Sequence, residues 1–251
     1  MRDWSEEGRT LWVCKTDAPI GIEGWKITPD GLFGPNSFTP CDDDLVSVAW
    51  DGRNFATLHN ILTAGIPTSY KINLVRPLIG NIIGSGNFAG NNFDNAVDIQ
   101  WDGRNWIVFY EGFSTPPVLN TRFCVAKHRS DINFSLLDDL SQTIGAAAIL
   151  NGGAWDGRIY SASFFVPPNL QSVRTHRADY AVGVMRLVQA LNISRTTHGH
   201  LAYNGKDFYS IAQAASYTLR TYKGTLNVNG TGITTSLGTF DATNKAGLEF
   251  G

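Results

Sequence analysis

Apolar and polar residues alternate in short runs broken by glycine turns along most of the chain, and the clearest run returns almost unchanged. In VSVAWDGRNFATLH (46–59), Val46, Val48 and Trp50 alternate with small or polar residues, Asp51-Gly52 interrupts, and Phe55, Thr57 and His59 alternate again. Period two on both sides of Asp-Gly predicts a β-hairpin, because a tight primed turn needs positive φ, which Gly adopts freely and Asp tolerates. The phrase recurs in IQWDGRNWIVFY (99–110), and looser copies are EEGRTLW, WDGRIY and YNGKDF. Aligned on Gly8, Gly52, Gly103, Gly157 and Gly205, the copies are spaced by 44, 51, 54 and 48 residues, the mark of a repeat architecture.

A second alternating run follows in most units: GWKITPDG (24–31), SYKINLV (69–75), RFCVAKH (122–128) and YTLRTYK (217–223), with 181–188 the poor fit. Three or four strands per fifty residues is the content of a propeller blade. The predicted fold is therefore all-β: a five-bladed β-propeller in a single domain spanning 1–251. Its blades are 1–40 with 246–251, then 41–92, 93–143, 144–195 and 196–240. The first unit has only MRDW ahead of its turn, whereas AGLEFG (246–251) resembles the apolar strand that precedes the other turns. Residues 246–250 are expected beside 9–14, with Leu248 and Phe250 near Leu11 and Val13, because an open join would expose unpaired backbone groups. DINFSLLDDLSQTIG (131–145) and RADYAVGVMRLVQALN (177–192) also fit helical spacing, although strand and loop is the preferred reading.

Composition narrows the function classes. A formal net charge of -2, a pI near 6.2 and no Lys/Arg cluster argue against a general nucleic-acid or anionic-membrane binder. The charged start MRDWSEEGRT and the lack of eighteen consecutive apolar residues lead to the expectation of a soluble chain made in the cytoplasm. Cys14, Cys41 and Cys124 are odd in number and form no CxxC pair, so they are expected as buried thiols and not as a disulfide or zinc framework.

Candidate chemistry divides between turns and rims. Trp50, Trp101 and Trp155 could stack on sugars, but each ends an inner strand where it can cover its hairpin. Arg53, Arg104 or Arg158 can then lie over the ring or pair with the turn Asp. Asp51-Gly52, Asp102-Gly103, Asp156-Gly157 and Asn204-Gly205 are accordingly read as structural turns. A calcium site needs six to eight oxygens, and each WDGRN offers one carboxylate beside a cation. His198 and His200 lack a third ligand, so no metal and no cofactor is expected. Carboxyls that could serve glycoside hydrolysis are Asp98, Glu111 and Glu249. The loops entering inner strands and leaving second strands share one face. That face carries Asp43, Asp44, Phe93, Asp94, Glu111, Phe113 and His198, the expected ligand-binding rim.

A unit of apolar strand, aromatic, Asp/Asn-Gly, polar residue and aromatic strand, repeated about every fifty residues, resembles repeats of bacteriophage virion and tail-associated β-propellers. The architecture is similar to the five-bladed tachylectin-type lectins. Gly-His elements with terminal Trp-Asp, and repeated double glycines, are absent, which separates the chain from tryptophan-aspartate and kelch repeats. The resemblance implies a non-enzymatic binding or structural module located in a virion, in tail, fibre or capsid. Its partners would be other virion proteins or a cell-surface glycan or protein receptor, with no nucleic acid and no membrane insertion. A free cytoplasmic carbohydrate-binding lectin and a glycoside hydrolase are the alternatives.

Overall fold

Asp-Gly-Arg-Asn between two aromatic residues builds the turns that join the inner strands to their neighbours. Strands β5 (Asp44–Trp50) and β6 (Phe55–Thr63) meet across Asp51 to Asn54 with Trp50 opposite Phe55. The computed structural model repeats this in β9 (Phe93–Trp101) and β10 (Asn105–Phe113), with Trp101 opposite Trp106. Asp51 N donates to Asn54 O at 3.1 Å and Asp102 N to Asn105 O at 3.1 Å, so the central pair of each turn is Gly-Arg and not Asp-Gly. Only the glycine has positive φ, +95° at Gly52 and +90° at Gly103, which fits the II′ pattern. The Asp is required one place earlier. Asp51 Oδ1 accepts from Arg53 N at 2.6 Å and Asn54 N at 2.5 Å, and Asp102 Oδ1 does the same for Arg104 N and Asn105 N.

The described residues are 2–4, 11–17, 21–28, 31–37, 44–76, 81–89, 93–113, 120–145, 148–155, 157–166, 170–179, 181–194, 199–203, 208–215, 218–226 and 232–241, with side chains described only between 45 and 187. Two compact units divide the chain, 1–141 and 142–251. In the first, β1 (Arg2–Trp4), β2 (Leu11–Asp17), β3 (Gly21–Thr28) and β4 (Gly31–Ser37) lie side by side in chain order. β5 and β6 continue into β7 (Ile66–Val75) and β8 (Ile82–Phe88), while β9 and β10 continue into β11 (Thr121–Arg129) and β12 (Leu136–Gly145), whose last residues enter the second unit. That second unit holds β13 (Ile149–Trp155), β14 (Tyr160–Val166), β15 (Leu170–Asp179) and β16 (Val184–Ser194). After them come β17 (Gly199–Tyr203), β18 (Phe208–Ala215), β19 (Thr218–Leu226) and β20 (Gly232–Asp241), again each four in chain order. Among the described residues, both stretches with helical spacing are strand and turn.

Closure is where the expectation meets a different pairing. β1 takes the place beside Leu11 to Val13, with Arg2 opposite Val13 and Trp4 opposite Leu11, while β3 fills the other side. Residues 242–251, expected in that place, lie outside the described residues.

The core of the first unit forms between the β5–β8 and β9–β12 groups. Ala49, Ala56, Leu58, Tyr70, Ile72 and Leu74 meet Ala96, Ile99, Trp106, Val108, Tyr110, Cys124, Ala126 and Phe134. Ala49 and Ala96 sit on the inner strands β5 and β9, which pack side by side, and Tyr70, Trp106 and Tyr110 bring the large rings from β7 and β10. Burying one such large apolar side chain stabilises the fold by about 1.5–3 kcal/mol.

Candidate functional site

The alternation that buries apolar residues also places polar ones between the inner strands. Ser47 Oγ on β5 donates to Asp98 Oδ1 on β9 at 2.6 Å, and Ile99 N donates to the same oxygen at 2.9 Å. Gln100 Nε2 donates to Asp98 Oδ2 at 3.3 Å. Asp98 therefore splices two strands instead of offering a free carboxyl to a sugar. Of its proposed partners in glycoside hydrolysis, Glu111 is buried on β10 at 6% exposure and Glu249 lies outside the described residues.

The beginning of β9 is irregular, and the irregularity isolates one carboxyl. Asp98 faces Phe109 and Ala96 faces Tyr110, so Val97 is an extra residue. Asn95 faces Glu111 and Phe93 faces Gly112, so Asp94 is a second one. β5 shows a single shift, between Leu45 and Ser47, and β13 a single one, between Leu150 and Gly152. A bulged residue leaves the ladder and is re-aimed, a device common beside active sites. Asp94 is half-buried, and burial pushes its carboxyl above the ordinary aspartate range. Among the described residues no hydrogen bond or ion pair holds that carboxyl.

Four of the seven rim candidates come together at this end of β9 and β10. Phe93 packs its ring 5.6 Å from Tyr70 and 5.7 Å from Tyr110, Asp94 is the bulged residue with Glu111 at the shift opposite it, and Phe113 ends β10 with 38% of its surface exposed. Asp44 begins β5 with its backbone opposite Asn60, its side chain not described. Asp43 and His198 lie outside the described residues.

The described turn residues make their contacts within or beside their own hairpins, with one change of partner. Trp50 lies 4.5 Å from Phe55, Trp101 4.7 Å from Trp106, and Trp155 stacks on Tyr160 at 4.1 Å, each ring covering its own hairpin. The ion partner of Asp102 is Lys127 at 3.3 Å on β11, not Arg104. Gly157 has φ +91°, while Asp156, Asn204 and Gly205 lie outside the described residues. Cys124 is buried, as expected. Burial first, and the Asp139 charge second, push its thiol up to about 12, so it is no nucleophile at neutral pH.

Several groups with strong chemistry escape a reading of the sequence. Tyr110 Oη donates to Asp139 at 2.5 Å, and burial raises the Asp139 carboxyl against the opposing pull of that bond and of Arg122. His128 Nδ1 lies 2.9 Å from Phe134 O, so it must donate there. Its Nε2, 2.8 Å from Tyr70 Oη, is then the acceptor. Asn60, buried on β6, grips the start of β9. Nothing in the run FATLHNIL singles it out, since Thr57 and His59 are polar there as well.

No protein-family model and no curated protein matches the chain. Solved structures do. Hydrazine synthase of Kuenenia stuttgartiensis is similar over 97% of this chain and 66% of its own, with 14% identity and a TM-score of 0.61. The Dos1 propeller is similar over 87% of this chain and 53% of its own, with 14% identity and a TM-score of 0.51. This chain thus spans less than two thirds of either. A proposed 6-phosphogluconolactonase from Bacteroides fragilis covers 96% of this chain and 83% of its own at 10% identity, and its TM-score of 0.48 adds no argument. At such identities the likeness defines the class of fold alone: all-β and of the β-propeller type. It also corrects the functional expectation of a non-enzymatic phage virion module. Of the two neighbours that carry weight, one is a synthase and neither is a virion protein or a lectin. The repeat carries a fold and not a virion role.

Proposed function

We propose that the chain is an enzyme of the β-propeller type that uses Asp94 as general acid–base in the hydrolysis of a small polar substrate at the rim where β9 begins. A fold of this kind does not choose a reaction, so the site must. The supporting observation is the state of the Asp94 carboxyl: bulged out of the ladder, half-buried, raised by that burial and tied to no other group among the described residues. Asp98, Asp102 and Asp139 are each held by hydrogen bonds or an ion pair and are spent on structure. A carboxyl whose ionised form is poorly stabilised is a better proton carrier near neutral pH, and its partial exposure admits both water and substrate. The exposed Phe113 supplies an apolar wall at the same end.

The test is hydrolysis of a panel of sugar lactones, simple esters and aryl glycosides by the purified chain and by Asp94→Asn. Loss of a general acid–base should reduce kcat by roughly 10²–10⁴-fold on whichever class is cleaved. Equal turnover by the two proteins, or no turnover by the wild type on any class, would overturn the reading.

A further inference from the structure

A residue left out of the ladder has no strand partner to fix its direction, so something else must hold the start of β9. Asn60, on β6 of the neighbouring four-strand group in the same unit, supplies that hold. Its Oδ1 accepts from Ala96 N at 2.9 Å, its Nδ2 donates to Asn95 Oδ1 at 2.6 Å, and the same Nδ2 reaches Ala96 O at 3.5 Å. One amide thus meets the two residues that directly follow Asp94, between the two bulges. The two contacts to Ala96 are buried and the one to Asn95 part-buried: Asn60 is 3% exposed and Ala96 fully buried. In a strand whose period is two, a slip of a single residue sends each side chain to the opposite face. Gripping Asn95 and Ala96 from the side forbids that slip.

We propose that Asn60 is the positioning residue for Asp94, fixing the double bulge of β9 so that the carboxyl stays at the rim and partly out of water. The inference rests on the acid–base reading only for its functional meaning, since the geometry concerns the carboxyl itself. By register the titratable group nearest the bulge is Glu111, opposite Asn95, and the backbone opposite Asn60 is that of Asp44.

The experiment reads the carboxyl without any substrate. In the full-length chain carrying ¹³C-labelled aspartate, the Asp94 carboxyl signal is assigned from its disappearance in Asp94→Asn and titrated in wild type, Asn60→Ala, Asn95→Ala and Asn73→Ala. Asn73 is a buried asparagine of β7 that accepts from Ser85 Oγ and, among the described residues, is hydrogen-bonded to neither bulge, so it reports general loosening. Released into water, the carboxyl should titrate lower in Asn60→Ala by about half a pH unit or more, since desolvation is what raises it. Asn95→Ala should move it the same way by less, and Asn73→Ala should leave it in place, with Asp139 unmoved throughout. An unchanged Asp94 in both Asn60→Ala and Asn95→Ala, or a shift matched by Asn73→Ala, would overturn the assignment. Should Asn60→Ala not fold, Asn95→Ala against Asn73→Ala decides alone. A shifted Asp94 in a chain that hydrolyses nothing would refute the enzymatic reading and leave the positioning role standing.

Discussion

Two aspartates four places apart on one strand have opposite surroundings, and the difference lies in what each carboxyl touches. Asp98 holds Ser47 Oγ, Ile99 N and Gln100 Nε2, joining β5 to β9, whereas Asp94 is held by nothing described. Removing a partner from a buried network costs its hydrogen bonds and strands the groups left behind, about 1–3 kcal/mol. Asp98→Ala should therefore lose about 1–3 kcal/mol in urea denaturation, while Asp94→Ala stays within about 0.5 kcal/mol of wild type, as changes outside a network do. The opposite ranking would mean that the roles are exchanged. FDNAVDIQW marks both residues as acidic positions on a strand and thereby brings both into consideration. It does not separate them, because a bulge is a matter of register against the partner strand β10 and leaves the local spacing of β9 unchanged.

The hairpins were legible at the level of the element because Asp-Gly between alternating runs has few other uses, and the strands of β5, β6, β9 and β10 fall where the alternation puts them. The turn type was not, since the side-chain cap made by Asp51 or Asp102 pushes the tight pair one residue on, to Gly-Arg. Outer strands were less legible still. IIGSGNF reads weakly as a strand, yet its glycines are there for contact: a Cβ added to Gly84 would lie 2.5 Å from Ile132 O and 2.9 Å from Ile132 Cα. The opposing turn cannot yield easily. Asp131 Oδ1 accepts from Asn133 N and Ser135 N at 3.1 Å each, and Asp131 Oδ2 accepts from Ser135 Oγ at 2.8 Å. Gly84→Ala should cost about 1–3 kcal/mol by overpacking. At Gly103 a Cβ would meet nothing, and Gly103→Ala should cost only the positive φ, about 1–2 kcal/mol, restored in part by Gly103→Asn. Rescue of Gly84→Ala by a second substitution that loosens the turn, Asp131→Ala, would mark contact as the cause; no rescue would count against it.

Over the whole molecule, the fifty-residue period announced repeated small sheets, since only a repeated supersecondary unit makes Gly52, Gly103 and Gly157 recur with the same positive φ. It could not announce a function, because the residues that recur are those that make turns and cover hairpins, and those that do not recur, such as Asp94 and Asn60, show no pattern to find. One property does belong to both compact units: each buries a histidine in neutral form. Burial lowers His128 to about 4 despite its bond to Phe134 O and the nearby Asp131, and burial with the Arg174 charge lowers His176 to about 3. An unfolded histidine takes up its proton near pH 6.5. Between 6.5 and the folded value the unfolded chain binds protons that the folded chain refuses, so stability is whole above pH 6.5 and falls as pH drops towards 4. Each histidine contributes a slope of about 1.4 kcal/mol per pH unit within that window. For His128 alone, acidification from pH 7 to 5 should remove about 2 kcal/mol. The comparison to make is urea denaturation of wild type and His128→Gln at both pH values. Whatever Gln costs at pH 7, the further loss at pH 5 should be smaller in the variant by about that amount, since the shifts of Asp94 and Asp139 are common to both proteins and cancel. Parallel losses would mean that His128 is charged in the folded chain, and that its bonds to Tyr70 and Phe134 are not those of a neutral ring.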